Sequence, residues 1–187
     1  MLNKIKNNFR LLYKTLVYKF FFIIYKKIIR KIHFNDSKKV EIKKISFEGL
    51  IKYNLFKIKD CRLYTDTIHD AAFIVDNQIL EGPSFQLRNN RNVSSDENIV
   101  FAIGTPRLKK NFKGNVLSLL TGGGGNENYW HWLFDVLPRI SLCEEITDLN
   151  KINFFLLPDN KRKFQKETLE ILKIGKERQL SSVNFRH

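Results

Sequence analysis

Between residues 116 and 175 the chain alternates in a way that few folds accept. An apolar run at 116–120 (Val-Leu-Ser-Leu-Leu) leads into four consecutive glycines, Gly122 to Gly125, and then into a helical pattern over about 126–146. A second apolar run, 152–157 (Ile-Asn-Phe-Phe-Leu-Leu), and a second helical pattern, about 162–174, follow and close at Gly175. Strand, glycine loop, helix, strand, helix is the unit of a parallel sheet, because parallel neighbours need a crossover and a helix is the usual one. Continuous apolar runs fit strands covered on both faces, as such sheets require. Residues 99–103 read as one further strand. The expected class is α/β.

Upstream, residues 40–80 read as a series of short strands: 40–47, 55–59, 63–67, 73–75 and 78–80. They are rich in Ile, Phe and Tyr and are broken by Gly49, Asp60, Asp70 and Asp76-Asn77. Residues 81–98 hold Gly, Pro, four Asn and three Ser, which predicts a long loop. The organisation that follows has three parts: 1–39, a basic helix with a linker at 34–39; 40–98, a β-rich lead-in; and 99–187, the α/β region. Two or three strand–helix units fall short of a complete doubly wound sheet. Residues 181–187 offer no closing element, so the chain reads as the front part of something longer.

The charge is concentrated. The formal net charge is +14, yet residues 1–45 carry 13 Lys or Arg against Asp36 and Glu41, and the other 142 residues are close to neutral. A domain that reads nucleic-acid grooves usually carries its charge on the folded module, so nucleic acid is not an expected partner. Residues 2–33 contain no Gly or Pro and read as one helix. Ile5, Phe9, Leu12 and Leu16 share a stripe, with Lys4, Lys6, Arg10 and Lys14 on other faces. The apolar stretch 11–25 is interrupted by Lys14 and Lys19 and is shorter than the ~20 residues of a spanning helix. It therefore fits the surface of a bilayer, with packing on its own protein or on a partner subunit as the alternative. No small-residue cleavage site follows the apolar run, which argues against a cleaved signal. Cys61 and Cys143 are too few for a disulfide scaffold.

The segment with chemistry in it begins at the glycines. On a helix of ~100° per residue, Glu127, Asn128, His131, Asp135 and Arg139 share one side, and Trp130, Leu133, Phe134, Leu137 and Ile140 share the opposite one. The second set is the expected core face. Trp132 fits either the core or a sugar-stacking platform. His131 and Asp135, four apart, can meet on the helix surface, and a carboxylate beside an imidazole suits a general base. Arg139 suits bidentate binding of a phosphate or carboxylate. Gly122, Gly123, Gly124 and Gly125 would let a ligand approach the backbone beyond the carboxyl end of a strand, where open α/β sheets bind ligands. The helix start behind them offers free N–H groups. No Gly-Lys-Ser/Thr follows, so this is not a Walker loop, and the spacing of a dinucleotide fingerprint is absent. Pro138 cannot donate to Phe134 and predicts a kink or an end. The remaining histidines, His33, His69 and His187, supply no metal-ligand spacing.

The run Gly-Gly-Gly-Gly-Asn-Glu-Asn-Tyr-Trp-His-Trp-Leu-Phe-Asp-Val-Leu-Pro-Arg resembles the signature of glycosyltransferase family 61: an aromatic-His-Trp-Leu segment, an acidic residue, then Leu-Pro-Arg. The likeness is densest from His131 to Arg139 and extends over about residues 60–175. It implies the Rossmann-like half of a two-domain GT-B enzyme. Such an enzyme would be an inverting transferase using a nucleotide sugar and a glycan hydroxyl, with no bound metal and no other cofactor, in cell-envelope polysaccharide synthesis. The motif positions carry over as His131, Asp135 and Arg139. The candidate substrate contacts, read from the loop and helix start themselves, are Gly122 to Gly125, Asn126, Asn128 and Trp132. A fragment that binds a glycan or partner without catalysis is the alternative. The basic arm and the unpaired thiols place it on the cytoplasmic face of a membrane, with the secretory lumen as the alternative.

Overall fold

The structure, a computed structural model, describes residues 2–47, 49, 51–65, 70–88, 91–121, 128–158 and 162–182. It is mixed α/β. Helix α1 (Leu2–Tyr25) leads to a short strand β1 (Lys31–Ile32) and a long hairpin of β2 (Val40–Phe47) and β3 (Ile51–Ile58). Strands β4 (Arg62–Thr65), β5 (Asp70–Val75), β6 (Gln78–Leu80), β7 (Phe85–Arg88) and β8 (Arg91–Val93) follow, then a single helical turn, α2 (Val100–Ile103). The last third runs from β9 (Val116–Ser118) through α3 (Tyr129–His131), a wide turn over Trp132–Val136 and α4 (Pro138–Glu144). It ends with β10 (Phe154–Leu157), α5 (Lys163–Ile171) and β11 (Gln179–Ser181).

The parallel sheet expected from the apolar runs is present, with order β11-β10-β9 and both outer strands parallel to β10. Alternation along β10 explains why its sequence is continuously apolar. Phe155 and Leu157 join Trp132, Val136, Ile140 and Cys143 of the α3–α4 segment and Leu169 of α5 in one cluster. Leu156, between them, meets Ala71 of β5 and Leu120 in another, with Phe73 and Phe85 packed alongside. Both helices therefore cover one face, and the sheet that contains β5 covers the other. Strands added in one direction through right-handed crossovers put their helices on the same side. Each fully buried side chain of Leu or Phe size contributes about 1.5–3 kcal/mol here.

The second sheet runs β1-β6-β5-β7-β8, with β4 also on β5; only the β1–β6 pair is parallel. Asp76 and Asn77, both at positive φ, make the two-residue turn between β5 and β6. Four expectations change. The loop expected at 81–98 contains β7 and β8, which extend the sheet from β5. The strand expected at 99–103 is the turn α2: the Asn98 side chain accepts from the Val100 N–H, and Gly104 at φ 67 ends it. The C-terminal stretch supplies a strand, β11, where none was expected, and residues 183–187 lie outside the described residues. The N-terminal helix stops at Tyr25 instead of reaching His33.

That last difference has a tertiary cause. Lys26 turns into the left-handed region at φ 62, and Ile28 drops into a cluster with Tyr64, Ile74, Ile79 and Val100. The next residues pair with β6 as β1, Lys31 opposite Ile79 and Ile32 opposite Leu80. The foot of α1 is clamped at the same place. The Tyr25 ring is met by two cations, the Arg62 guanidinium 5.5 Å from its centre and the Lys109 ammonium at 5.1 Å. Its hydroxyl accepts from the Lys109 N–H at 3.2 Å. Phe22 rests on Gly104 so closely that a Cβ there would meet it at 2.6 Å.

Candidate active site

Asn128 starts the helical segment behind β9. Its Oδ1 accepts from the Trp130 N–H at 2.9 Å, a helix N-cap. The helix does not stay α. From Trp132 to Val136 it widens, and the Leu137 N–H donates to the Trp132 carbonyl five residues back, at 3.0 Å. Pro138 is the cause that the sequence contains. Its ring would clash with the carbonyl of Phe134 in an unbroken α-helix, and the wide turn relieves this. Pro138 then becomes the first residue of α4, where a missing N–H costs nothing.

The wide turn sets the geometry of the site. A turn of more than four residues brings side chains four apart closer to eclipse than an α-turn does. His131 Nδ1 stands 2.5 Å from Asp135 Oδ2, and both side chains are open to solvent, at 43% and 47%. One row away Trp130 and Phe134 make the same spacing, with ring centres 4.3 Å apart. These rings are 65% and 57% exposed. An imidazole–carboxylate pair and an aromatic pair thus run side by side on the outer surface of the helix. Tyr129, also exposed, packs edge-on against Phe164 of α5.

Arg139 supports the pair from the next turn: its Nε donates to the Asp135 main-chain carbonyl at 3.0 Å. Desolvation draws its guanidinium below the ordinary arginine value, and the charge of Asp135 opposes that. In the tautomer in which Nδ1–H donates to the Asp135 carboxylate, Nε2 is the nitrogen with the free lone pair, the arrangement a general base uses. The α3 segment that carries His131 follows β9 in the chain.

The expected site residues divide three ways. His131, Asp135 and Arg139 are brought together. Gly122, Gly123, Gly124, Gly125 and Asn126 lie outside the described residues, as does Glu127 of the expected polar row. Asn128 is the helix cap, and its Oδ1 is engaged by the backbone. Trp132 corrects the stacking option: it is completely buried in the core and its Nε1 donates to Thr168 of α5. A ring with no open face cannot receive a sugar. Trp130 and Phe134 move in the opposite direction, from expected core to exposed surface. The buried stripe is Trp132, Val136, Ile140 and Cys143. The helical wheel put the core on the side of Trp130, Leu133, Phe134, Leu137 and Ile140, whereas the buried stripe falls in the arc between that set and the polar row. The signal that the wheel would slip was Pro138.

Compared with known proteins, the chain matches no family model, no curated protein and no solved structure.

Proposed function

We propose that this chain is the acceptor-side part of an inverting, nucleotide-sugar-dependent glycosyltransferase similar to family 61. In this reading its parallel sheet belongs to the Rossmann-like half of a GT-B architecture. The observation that carries the reading is the juxtaposition on one helix surface: an imidazole oriented by a carboxylate at 2.5 Å, beside an exposed indole–phenyl pair. Acceptor activation needs a base of that kind, and the flat face of an indole suits the C–H face of a pyranose.

The acceptor hydroxyl gives its proton to His131 Nε2 while its oxygen attacks the anomeric carbon of the donor. The new C–O bond forms on the face opposite the nucleotide, the bond from that carbon to the phosphate oxygen breaks, and the nucleotide leaves as an anion. The anomeric configuration inverts. Asp135 stabilises the imidazolium that forms, as a carboxylate behind a histidine does in other bases of this kind. Arg139 is a positioning residue: it holds the Asp135 carbonyl and so the turn that aims the carboxylate. Trp130 and Phe134 hold the acceptor ring.

The test is His131→Gln in the protein expressed from its full gene, assayed for sugar transfer and nucleotide release with a panel of nucleotide sugars and glycan acceptors. Loss of about 10²–10⁴-fold is expected for a general base. Transfer at the parent rate would overturn the assignment. The aromatic pair equally favours a second reading, glycan binding without catalysis. Retained glycan binding with no transfer from any donor, by the parent protein itself, would establish that reading instead.

A further inference from the structure

Helix α1 carries apolar side chains on two opposite faces, and its own protein covers only one. The partly buried residues are Val17, Tyr18, Phe21, Phe22 and Tyr25. At ~100° per residue they share one side of the helix, the side that meets Gly104, Arg62 and Lys109. Ile5, Phe9, Leu12, Leu16, Phe20 and Ile23 fall within about 80° of arc on the side directly away from the body. All six are exposed, Ile23 by 82%. This outward stripe runs for about 27 Å.

The charge beside the stripe is of one sign. Nine Lys or Arg and no acid occur before Asp36. Lys6 and Lys19 flank the stripe, one on each side, and Lys26, Lys27 and Arg30 stand exposed at its end. No helix among the described residues is long and apolar enough to cross a membrane.

We propose that the outward face of α1 is a docking surface for an anionic lipid bilayer. The helix lies in the interfacial plane with Ile5, Phe9, Leu12, Leu16, Phe20 and Ile23 among the acyl chains. Lys6 and Lys19 extend their stems along the stripe to the headgroups, and Lys26, Lys27 and Arg30 bind lipid phosphates or carboxylates. The charge decides between this and a second copy of the chain. Two such helices face to face would bring like-charged flanks together with no acid to offset them. An anionic surface neutralises the cations that flank and end the stripe. The clamp at Tyr25 and Phe22 makes the attachment stiff, so the body is held at a set attitude to the bilayer.

The test uses the full chain and sedimentation with vesicles of phosphatidylcholine, with and without roughly one-third phosphatidylserine, at low and at physiological salt. Binding to the anionic vesicles is expected to exceed binding to the neutral ones by about tenfold or more. Phe9→Glu with Leu16→Glu is expected to abolish it. Both residues are exposed, so circular dichroism and the melting temperature should stay at the parent values. Lys26→Glu with Lys27→Glu is expected to remove the preference for anionic lipid. Absence of binding to anionic vesicles at low salt would overturn the proposal, as would undiminished binding by the Phe9→Glu, Leu16→Glu variant. A dimer in sedimentation velocity that this variant dissociates, in a chain that ignores vesicles, would assign the face to a second copy instead.

Discussion

Two helical regions of this molecule expose large aromatic side chains, and they do so for different reasons. In α1 the exposed rings and aliphatics lie among cations alone, with no carboxylate nearby in sequence. On α3 and the wide turn after it, the exposed rings of Trp130 and Phe134 lie beside an imidazole and a carboxylate at hydrogen-bond distance. Exposed apolar surface by itself says only that something is to be covered. The neighbours say what: lysines around a long stripe suit a charged sheet of lipid, whereas a base beside one short aromatic pair suits a single polar ring with a hydroxyl to activate. The backbones differ to match. The α1 helix is regular over its whole length. The other is widened at the point where His131 and Asp135 meet.

The comparison can be broken most severely at His131. His131→Gln should cost about 10²–10⁴-fold in transfer, and Asp135→Asn less, because it orients the base without replacing it. Vesicle binding should stay at the parent level in both. A loss of vesicle binding would mean that the two regions act as one surface.

Next in size is a contrast between two tryptophans only two residues apart. Trp132→Ala empties a fully buried site and should lower stability by about 3–5 kcal/mol in urea unfolding. Trp130→Ala removes an exposed ring and should cost less than about 1.5 kcal/mol, the worth of an aromatic pair, while weakening glycan binding. Equal losses of stability would contradict the assignment of the buried face.

Gly104→Ala tests the clamp of α1. It combines a positive φ with a Cβ pressed into Phe22, and should destabilise by about 1–3 kcal/mol and loosen α1 in hydrogen exchange.

The smallest effect concerns Cys61. Burial pushes its thiol up to about 11. The folded value lies above the unfolded one of about 8.5, so the group contributes full stability below that pH and loses it as the pH rises toward the folded value. Against a Cys61→Ala control, the parent should lose stability between those two points, and its thiol should react slowly with maleimide at pH 8. Rapid labelling would show the strand end at Cys61 to be open.

Much of the fold was legible in the sequence because it rests on local pattern. The runs at 116–120 and 152–157 are apolar without alternation, and they became the two strands β9 and β10, with β10 covered on both sides. The span Val40–Phe47 and the strand Gln78–Leu80 were read with their observed bounds. His131 and Asp135 were legible as a pair because spacing alone makes them neighbours on a helix. Trp130 and Phe134 were expected in the core and are exposed, and Trp132, left open between core and platform, is core, because ideal periodicity does not include the widened turn that shifts the buried stripe. The segments at 81–98 and 99–103 misled for a related reason. Asn, Ser and Gly mark turns, but β5 supplied an open edge for Phe85–Arg88, and the Asn98 cap turned a β-like sequence into a helical one.

The sequence by itself determined the strand–helix–strand–helix order of residues 116–175, the basic arm with its apolar stripe, the spacing of the His–Asp pair and the interruption at Pro138. All of these are set within a few residues along the chain. The tertiary structure alone decided where α1 ends, which side of the α3–α4 segment is buried and what covers the second face of the parallel sheet. Those outcomes depend on pairings such as Ile32 with Leu80 and Leu156 with Ala71, between residues far apart in the chain. Burying one such side chain contributes about 1.5–3 kcal/mol. The local preference it overrides is worth a fraction of a kcal/mol per residue.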